Sequence, residues 1–410
     1  MKLRVRFSFA FLFICAPVWA SSPLSGHFRP ATGSYLVGGP AFIVFELVNN
    51  SNQTVRFQDA NPLSPCAGYL FQIYGESRAD GSCDGLRGYS CGSGTAELPP
   101  GGKATQRILL NYYYDLFHPG PYRVHAQRTL SWWPAHEGWF GENRQQQIFE
   151  SDFELDLEPA NLGQLRAAFA PYVKALDSED SVEHQEAVSV IILVAPPFLE
   201  EKLLKMLDSE DWGQAIVGLQ HLNTAHARQA IWKIAQAEVK PKPNADDLER
   251  AEREDEQAMG VESLGRMGDP AYLSRLLEIT QAAAPDSQLH REGGMAIARL
   301  GGDDALPFLV AETESPSYSQ RFQAVIDLQF TASRDAVPVL INLLQSPDED
   351  IRQVADNSLE ALTHRSAGTG LVSAVSSAWL HETWKNWWKL NSASAQIYGE
   401  HECGDKMLIN

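Results

Sequence analysis

Between Ala187 and Leu362 one spacing is written six times: a small residue, an aliphatic residue four positions later and, in five of the six, another apolar residue three after that. The copies are Ala187/Ile191/Val194, Ala215/Leu219/Leu222, Gly260/Leu264/Met267, Gly293/Ile297/Leu300, Ala324/Leu328/Thr331 and Ala355/Leu359/Leu362. Offsets of four and seven lie on one face of an α-helix, and a small residue there admits a neighbouring helix closely. One such unit cannot bury its own stripe, so the copies must stack into a solenoid.

Other signals keep the same register. The pentapeptide Leu176-Asp177-Ser178-Glu179-Asp180 returns as Leu207-Asp208-Ser209-Glu210-Asp211, and Asp304-Ala305-Leu306-Pro307-Phe308-Leu309 as Asp335-Ala336-Val337-Pro338-Val339-Leu340, each 31 residues on. The acidic and Ser-Pro-Asp turns belong just before the second helix of each pair, where a carboxylate caps free N–H groups. The prolines fit the opening turn of the first helix. Copies two and three are 45 residues apart against 28 to 33 elsewhere, and the excess is Lys240-Pro241-Lys242-Pro243-Asn244 followed by a charged stretch to Gln257. A proline-broken loop leading into a solvated helix is expected there.

The segment 340–362, Leu-Ile-Asn-Leu-Leu-Gln-Ser-Pro-Asp-Glu-Asp-Ile-Arg-Gln-Val-Ala-Asp-Asn-Ser-Leu-Glu-Ala-Leu, resembles a HEAT repeat. That resemblance implies that Pro338 opens the outer helix, Asp348 caps the inner one, and Arg352 bridges to acidic groups of an adjacent repeat. The position of Arg352 is held by His184, Trp212, Gln257, His290 and Arg321 in the other copies, which interrupts any Arg-Asp ladder. Past the last copy, Trp384, Trp387 and Trp388 sit at helical offsets and resemble the tryptophan-rich end helix that follows many bacterial HEAT arrays. Large indoles would cover the last apolar face.

Residues 24–158 have a different texture. The run 42–48, the turn Asn49-Asn50-Ser51-Asn52 and the strand 54–57 read as a hairpin. Further strands are expected at 69–74, 105–110 and 122–126, and at 147–155, where apolar and polar residues alternate with period two. Seven or so short strands predict an antiparallel β-sandwich. Residues 42–51, Leu98-Pro99-Pro100-Gly101-Gly102, Tyr114-Asp115-Leu116 and Pro119-Gly120-Pro121-Tyr122-Arg123-Val124 resemble the immunoglobulin-like accessory domains of exported bacterial proteins. The predicted fold is thus multi-domain, β then α. It comprises a signal peptide at 1–20, an immunoglobulin-like β-sandwich at 21–158, a HEAT-like α-solenoid of helix pairs at 159–365, a linker and capping helix at 366–391, and a tail at 392–410.

Lys2, Arg4 and Arg6 precede the apolar run 7–17, and Val18-Trp19-Ala20 offers a small residue for cleavage, which reads as a secretory leader cut after Ala20. Removing it takes three positive charges and leaves 30 Lys and Arg against 52 Asp and Glu, a net charge near −22. Such a chain repels phosphate backbones and anionic lipid, so no nucleic acid and no membrane insertion after cleavage are expected. A protein or peptide partner, including a basic one, suits that charge. A periplasmic or secreted location also permits disulfides. Cys83 and Cys91 flank a Gly- and Ser-rich loop and are the first candidate pair; Cys66 with Cys403 is the second, and spacing alone leaves other pairings open.

No phosphate loop or His-Glu-x-x-His occurs in the chain. His184-Gln185-Glu186 and His290-Arg291-Glu292 invite comparison with the HEAT-like deoxyhypusine hydroxylases, which hold two irons through adjacent His-Glu pairs, but here each pair is split by a residue. Bilin lyases use similar arrays. The expectation is therefore a scaffold protein with no catalytic residues, no cofactor and no metal. A metal-binding or chromophore-related enzyme is the alternative. Arg321 and Arg352, at equivalent positions, and Trp132, Trp133 and Trp139, read as a loop platform able to stack on carbohydrate, are the candidate binding surface.

Overall fold

The computed structural model describes residues 22–60, 67–75, 80–82, 93–116, 118–138, 143–236, 247–366, 377–400 and 406–409. The leader, the four candidate disulfide cysteines, Trp139, the proline-broken insertion and most of the linker after residue 366 lie outside the described residues. An N-terminal β region is followed by a helical C-terminal part.

In the β region, β1 (Leu24–Pro30), β3 (Phe42–Asn49) and β8 (Lys103–Leu109) form a three-stranded antiparallel sheet with β3 in the centre. The larger sheet runs β2 (Tyr35–Leu36), β11 (Gln145–Glu158), β10 (Gly120–Pro134), β4 (Val55–Ala60), β7 (Ser93–Leu98), and β5 (Tyr69–Gly75) also pairs with β10. The two short strands β6 (Asp80–Ser82) and β9 (Tyr114–Asp115) pair with each other. One core joins the two sheets: Phe45 of β3 meets Phe28 of β1 at 4.7 Å and Phe149 of β11 at 5.8 Å between ring centroids. Period-two alternation places Phe149, Leu155 and Leu157 inward and Glu150, Asp152 and Glu154 outward along β11.

Two expectations change here. The strands are not uniformly short, since β10 and β11 span 15 and 14 residues. Residues 42–57 are not a hairpin either: β3 and β4 belong to different sheets. The central strand β3 already has β1 and β8 on its two edges, so it has no free edge for β4. Asn49 directs the crossing, its buried amide donating to the carbonyls of Gln53 (2.8 Å) and Leu98 (2.9 Å).

The helical part stacks six pairs: α1 (Leu162–Ala175) with α2 (Ser181–Val194), α3 (Glu200–Met206) with α4 (Trp212–Leu222), α5 (Ala225–Ala235) with α6 (Asp247–Met267), α7 (Leu273–Ala282) with α8 (Gln288–Gly301), α9 (Leu306–Thr313) with α10 (Tyr318–Asp327), and α11 (Ala336–Leu343) with α12 (Glu349–Thr363). Second helices pack on second helices down the array, from α2 to α12. The six small anchors sit where helices approach closely: a Cβ on Gly293 would lie 2.1 Å from Thr280 Oγ1 of α7, and one on Gly260 would lie 3.0 Å from the Ala235 amide of α5. Asp180, Ser287, Ser317 and Asp348 cap the second helices of their pairs through side-chain oxygens. Helix α13 (Ser377–Asn391) then lies against the last pair, with Trp384 buried and Trp387 and Trp388 packed beside it. A hairpin of β12 (Ile397–Glu400) and β13 (Lys406–Ile409) follows. Among the described residues, no helix is long and apolar enough to cross a membrane.

Candidate functional site

The position three residues before each small anchor carries Arg352 and its counterparts, and the structure gives it one recurring task. The backbone carbonyls at the end of a helix have no partner within that helix. His184 Nδ1 donates to Leu176 O (2.9 Å), Gln257 Nε2 to Ala235 O (2.9 Å), His290 Nδ1 to Thr280 O (3.0 Å), Arg321 to Ser315 O (2.7 Å) and Arg352 to Ser346 O (2.8 Å). Each acceptor lies at the end of the first helix of the same pair or in the turn that follows it. Trp212, the sixth occupant, packs its ring against the core instead. Arg321 and Arg352 therefore close their own turns and do not bridge to acidic groups of a neighbouring repeat, a correction to what the HEAT resemblance implies. Carbonyl acceptance needs only a donor of suitable reach, so Arg, His and Gln are interchangeable there.

That task also accounts for the two histidines. With Nδ1 donating to a carbonyl, His184 turns Nε2 toward the Asp211 carboxylate at 3.1 and 3.2 Å, and the hydrogen bond to Asp211 holds its pKa above the usual imidazole range. Asp211, expected to cap α4, makes no capping bond because its carboxylate faces the imidazole. His290 Nε2 meets Glu312 Oε2 at 3.2 Å and the Gln320 amide at 3.1 Å. Glu186 pairs with Arg107 of β8 at 2.7 Å. The structure engages His184, Glu186 and His290 separately, and no three His, Cys, Asp or Glu side chains among the described residues are grouped to hold a metal.

Trp132 and Trp133 require a second correction. They stand at the end of β10, not in a loop, and are 4% and 0% exposed. Trp133 Nε1 donates to Gly138 O at 2.8 Å, and the Arg144 guanidinium covers the ring at 4.8 Å. Neither indole offers a face for a sugar.

Two features escaped sequence reading. Among the described residues, the turns between paired helices expose Asp177, Glu179, Asp180, Asp208, Glu210, Asp286 and Glu314, and the first turn of α12 exposes Glu349 and Asp350. Successive turns touch: Ser317 Oγ donates to Asp286 at 2.7 Å and Tyr318 Oη to Asp350 at 2.9 Å. The acids were visible in the repeated pentapeptide as caps, while their alignment into an edge depends on stacking.

The second feature is a pair of perturbed carboxyls in the middle of the array. Burial, then the neighbouring Glu262 carboxylate, pushes Glu292 up to about 7, and burial pushes Asp327 up to about 8. Asp327 stands three after its anchor, a place held by Val190, Gly218, Ser263, Ala296 and Ser358 in the other copies. A carboxylate among small and apolar equivalents was the available signal.

No known protein family matches this sequence, and no curated protein matches it. Solved structures do match in part. The Escherichia coli protein YibA is 15% identical over 49% of this chain and 70% of its own, with a TM-score of 0.29. The complex of CpcE and CpcF of phycocyanin lyase from Nostoc is 16% identical over 54% of this chain and 82% of its own, at 0.33. Human deoxyhypusine hydroxylase in complex with glycerol is 14% identical over 55% of this chain and 99% of its own, at 0.27.

Proposed function

We propose that this chain is exported, loses residues 1–20, and acts in the periplasm or outside the cell as an interaction protein that holds a basic protein or peptide along the turn edge of its solenoid. In this reading the helix pairs are HEAT-like repeats and the two β-sheets an immunoglobulin-like sandwich that fixes the first pair. The carrying observation is the recurrence of exposed carboxylates at the described turns, of which those of the last three pairs touch. A rigid row of like charges steers and holds a cationic segment, and its effect weakens with salt. Arg321 and Arg352 stand at two of these turns, where they donate to carbonyls, and their charges offset only part of the edge.

The test uses the mature chain, a lysine-rich peptide and a scrambled-charge control peptide. Replacing Asp177, Glu179, Asp208 and Glu210 by lysine is expected to weaken the lysine-rich peptide by about tenfold or more at physiological salt while leaving the fold intact by circular dichroism. Binding that survives this reversal unchanged rejects the edge as the site. The cysteine pairs Cys83 with Cys91 and Cys66 with Cys403 belong to the same proposal of export, and non-reducing peptide mapping of protein recovered from the periplasm decides them.

A further inference from the structure

Where α8, α9 and α10 meet, a small cavity is lined by both polar and apolar side chains, among them His290, Arg291, Phe308, Glu312, Gln320 and Asp327. Asp327 is 2% exposed. Its Oδ1 accepts from Gln323 of its own helix at 2.8 Å, and its Oδ2 lies where a Cβ on Gly294 would come within 2.4 Å. Only a glycine in α8 lets this carboxyl reach the neighbouring helix.

The charges around it do not balance. From α6, Glu262 is paired with Arg266 at 3.0 Å. From α9, Glu312 faces His290 of α8 at 3.2 Å. Arg291 of α8 donates to Asp286 O at 3.1 Å. From α12, Ser358 donates to Val325 O at 3.0 Å and brings no charge. Arg299 of α8 has its guanidinium 4.7 Å from the Phe330 ring and is felt electrostatically by both Glu292 and Asp327. Glu292 also feels Arg266 and Arg291, whereas at Asp327 the pull of Arg299 is set against the carboxylates of Glu292 and Glu312; a buried carboxylate so undercompensated is costly enough that the group holds a proton instead.

We propose that the contact between α8 and α10 is a proton-dependent latch: a proton kept on Asp327 stands in for a missing cation, and its loss loosens the middle of the solenoid. The sign follows from linkage. Burial raises the carboxyl to about 8 in the closed joint, so the stabilisation is fully present below the ordinary aspartate range and is lost as pH rises through that value. Opening exposes the carboxyl, which then ionises.

Amide hydrogen exchange of the full mature chain between pH 5 and 8, corrected for intrinsic exchange, tests this. Peptides from α8 and α10 are expected to open about tenfold more readily per pH unit, while peptides from α5 stay level. Asp327→Asn, nearly isosteric and never charged, should flatten that dependence in α10 and reduce it in α8 to the part carried by Glu292. His290→Gln, which copies the carbonyl-capping role of Gln257, should preserve it and so separates the carboxyl from the imidazole. Equal pH dependence in α5 and α10 of the unmodified chain overturns the proposal, as does a dependence in α10 that is undiminished in Asp327→Asn or disappears with His290→Gln.

Discussion

A single position repeated through the array shows how one structural demand is met by unlike residues. The carbonyls ending each first helix need a donor, and Arg352, Gln257 and His184 each supply one from the following helix. Arg352→Ala should therefore cost about 1 kcal/mol, the usual net worth of one such hydrogen bond, with urea unfolding as the measurement. His184→Gln keeps a donor and should cost less than His184→Leu; equal losses would show that the carbonyl bond is not what matters at this position. The same histidine gives a titration with a defined sign. Its pKa is raised, first through the hydrogen bond to Asp211, so its favourable pairing is present below the ordinary imidazole value and is lost as pH rises through the raised one. In an imidazole ¹H–¹⁵N titration the His184 midpoint should fall on Asp211→Asn, and an unmoved midpoint would exclude Asp211 as the cause.

Between helices, the small anchors set how closely the pairs approach, and two glycines separate close packing from intrinsic propensity. At Gly293 an added methyl would meet Thr280, which is fully buried and donates to Leu276 O at 2.7 Å, so it cannot turn aside without losing that bond. Gly293→Ala should destabilise by about 1–3 kcal/mol through overpacking, exceeding the gain of about 1 kcal/mol from better helix propensity. At Gly213 the nearest atom to an added methyl is Met259 Sδ at 3.6 Å, an ordinary contact. Gly213→Ala should be neutral or slightly stabilising in the same thermal melt, and a loss matching that at Gly293 would remove helix approach as the explanation. These anchors were legible in sequence because packing density is a local demand repeated at a fixed offset. The partner of β3 was not, since strand pairing joins Val44 to Arg107 across more than sixty residues of intervening chain. The indoles at 132 and 133 misled for a related reason: proline and glycine beside them signalled a loop, but β10 carries its pairing up to Pro134. The targets of Arg321 and Arg352 were hidden because every residue owns a carbonyl, so an acceptor leaves no mark in the sequence.

At the level of the whole chain, the β region and the first helix pair are joined by both apolar packing and charge, and magnitudes decide which dominates. Phe42 and Leu109 of the smaller sheet are buried within the core of the solenoid, and Leu193 of α2 packs in turn against the β core. The Phe42 ring stacks on Tyr172 at 6.3 Å and is covered by Arg107 at 4.2 Å. Arg107 also pairs with Glu186, but these side chains are 47% and 33% exposed, and a pair that open to water contributes roughly 0–1 kcal/mol. Truncating a buried phenylalanine costs about 3–5 kcal/mol. Phe42→Ala is therefore expected to uncouple the two regions, splitting the calorimetric melt into two transitions and increasing the radius of gyration in solution scattering. Glu186→Gln, which keeps the side-chain shape and removes only the charge, should leave the melt as it is in the unmodified chain. If Phe42→Ala melts and scatters like that chain while Glu186→Gln separates the regions, the ion pair rather than the apolar contact joins them, and the ranking of the two forces argued from burial is wrong.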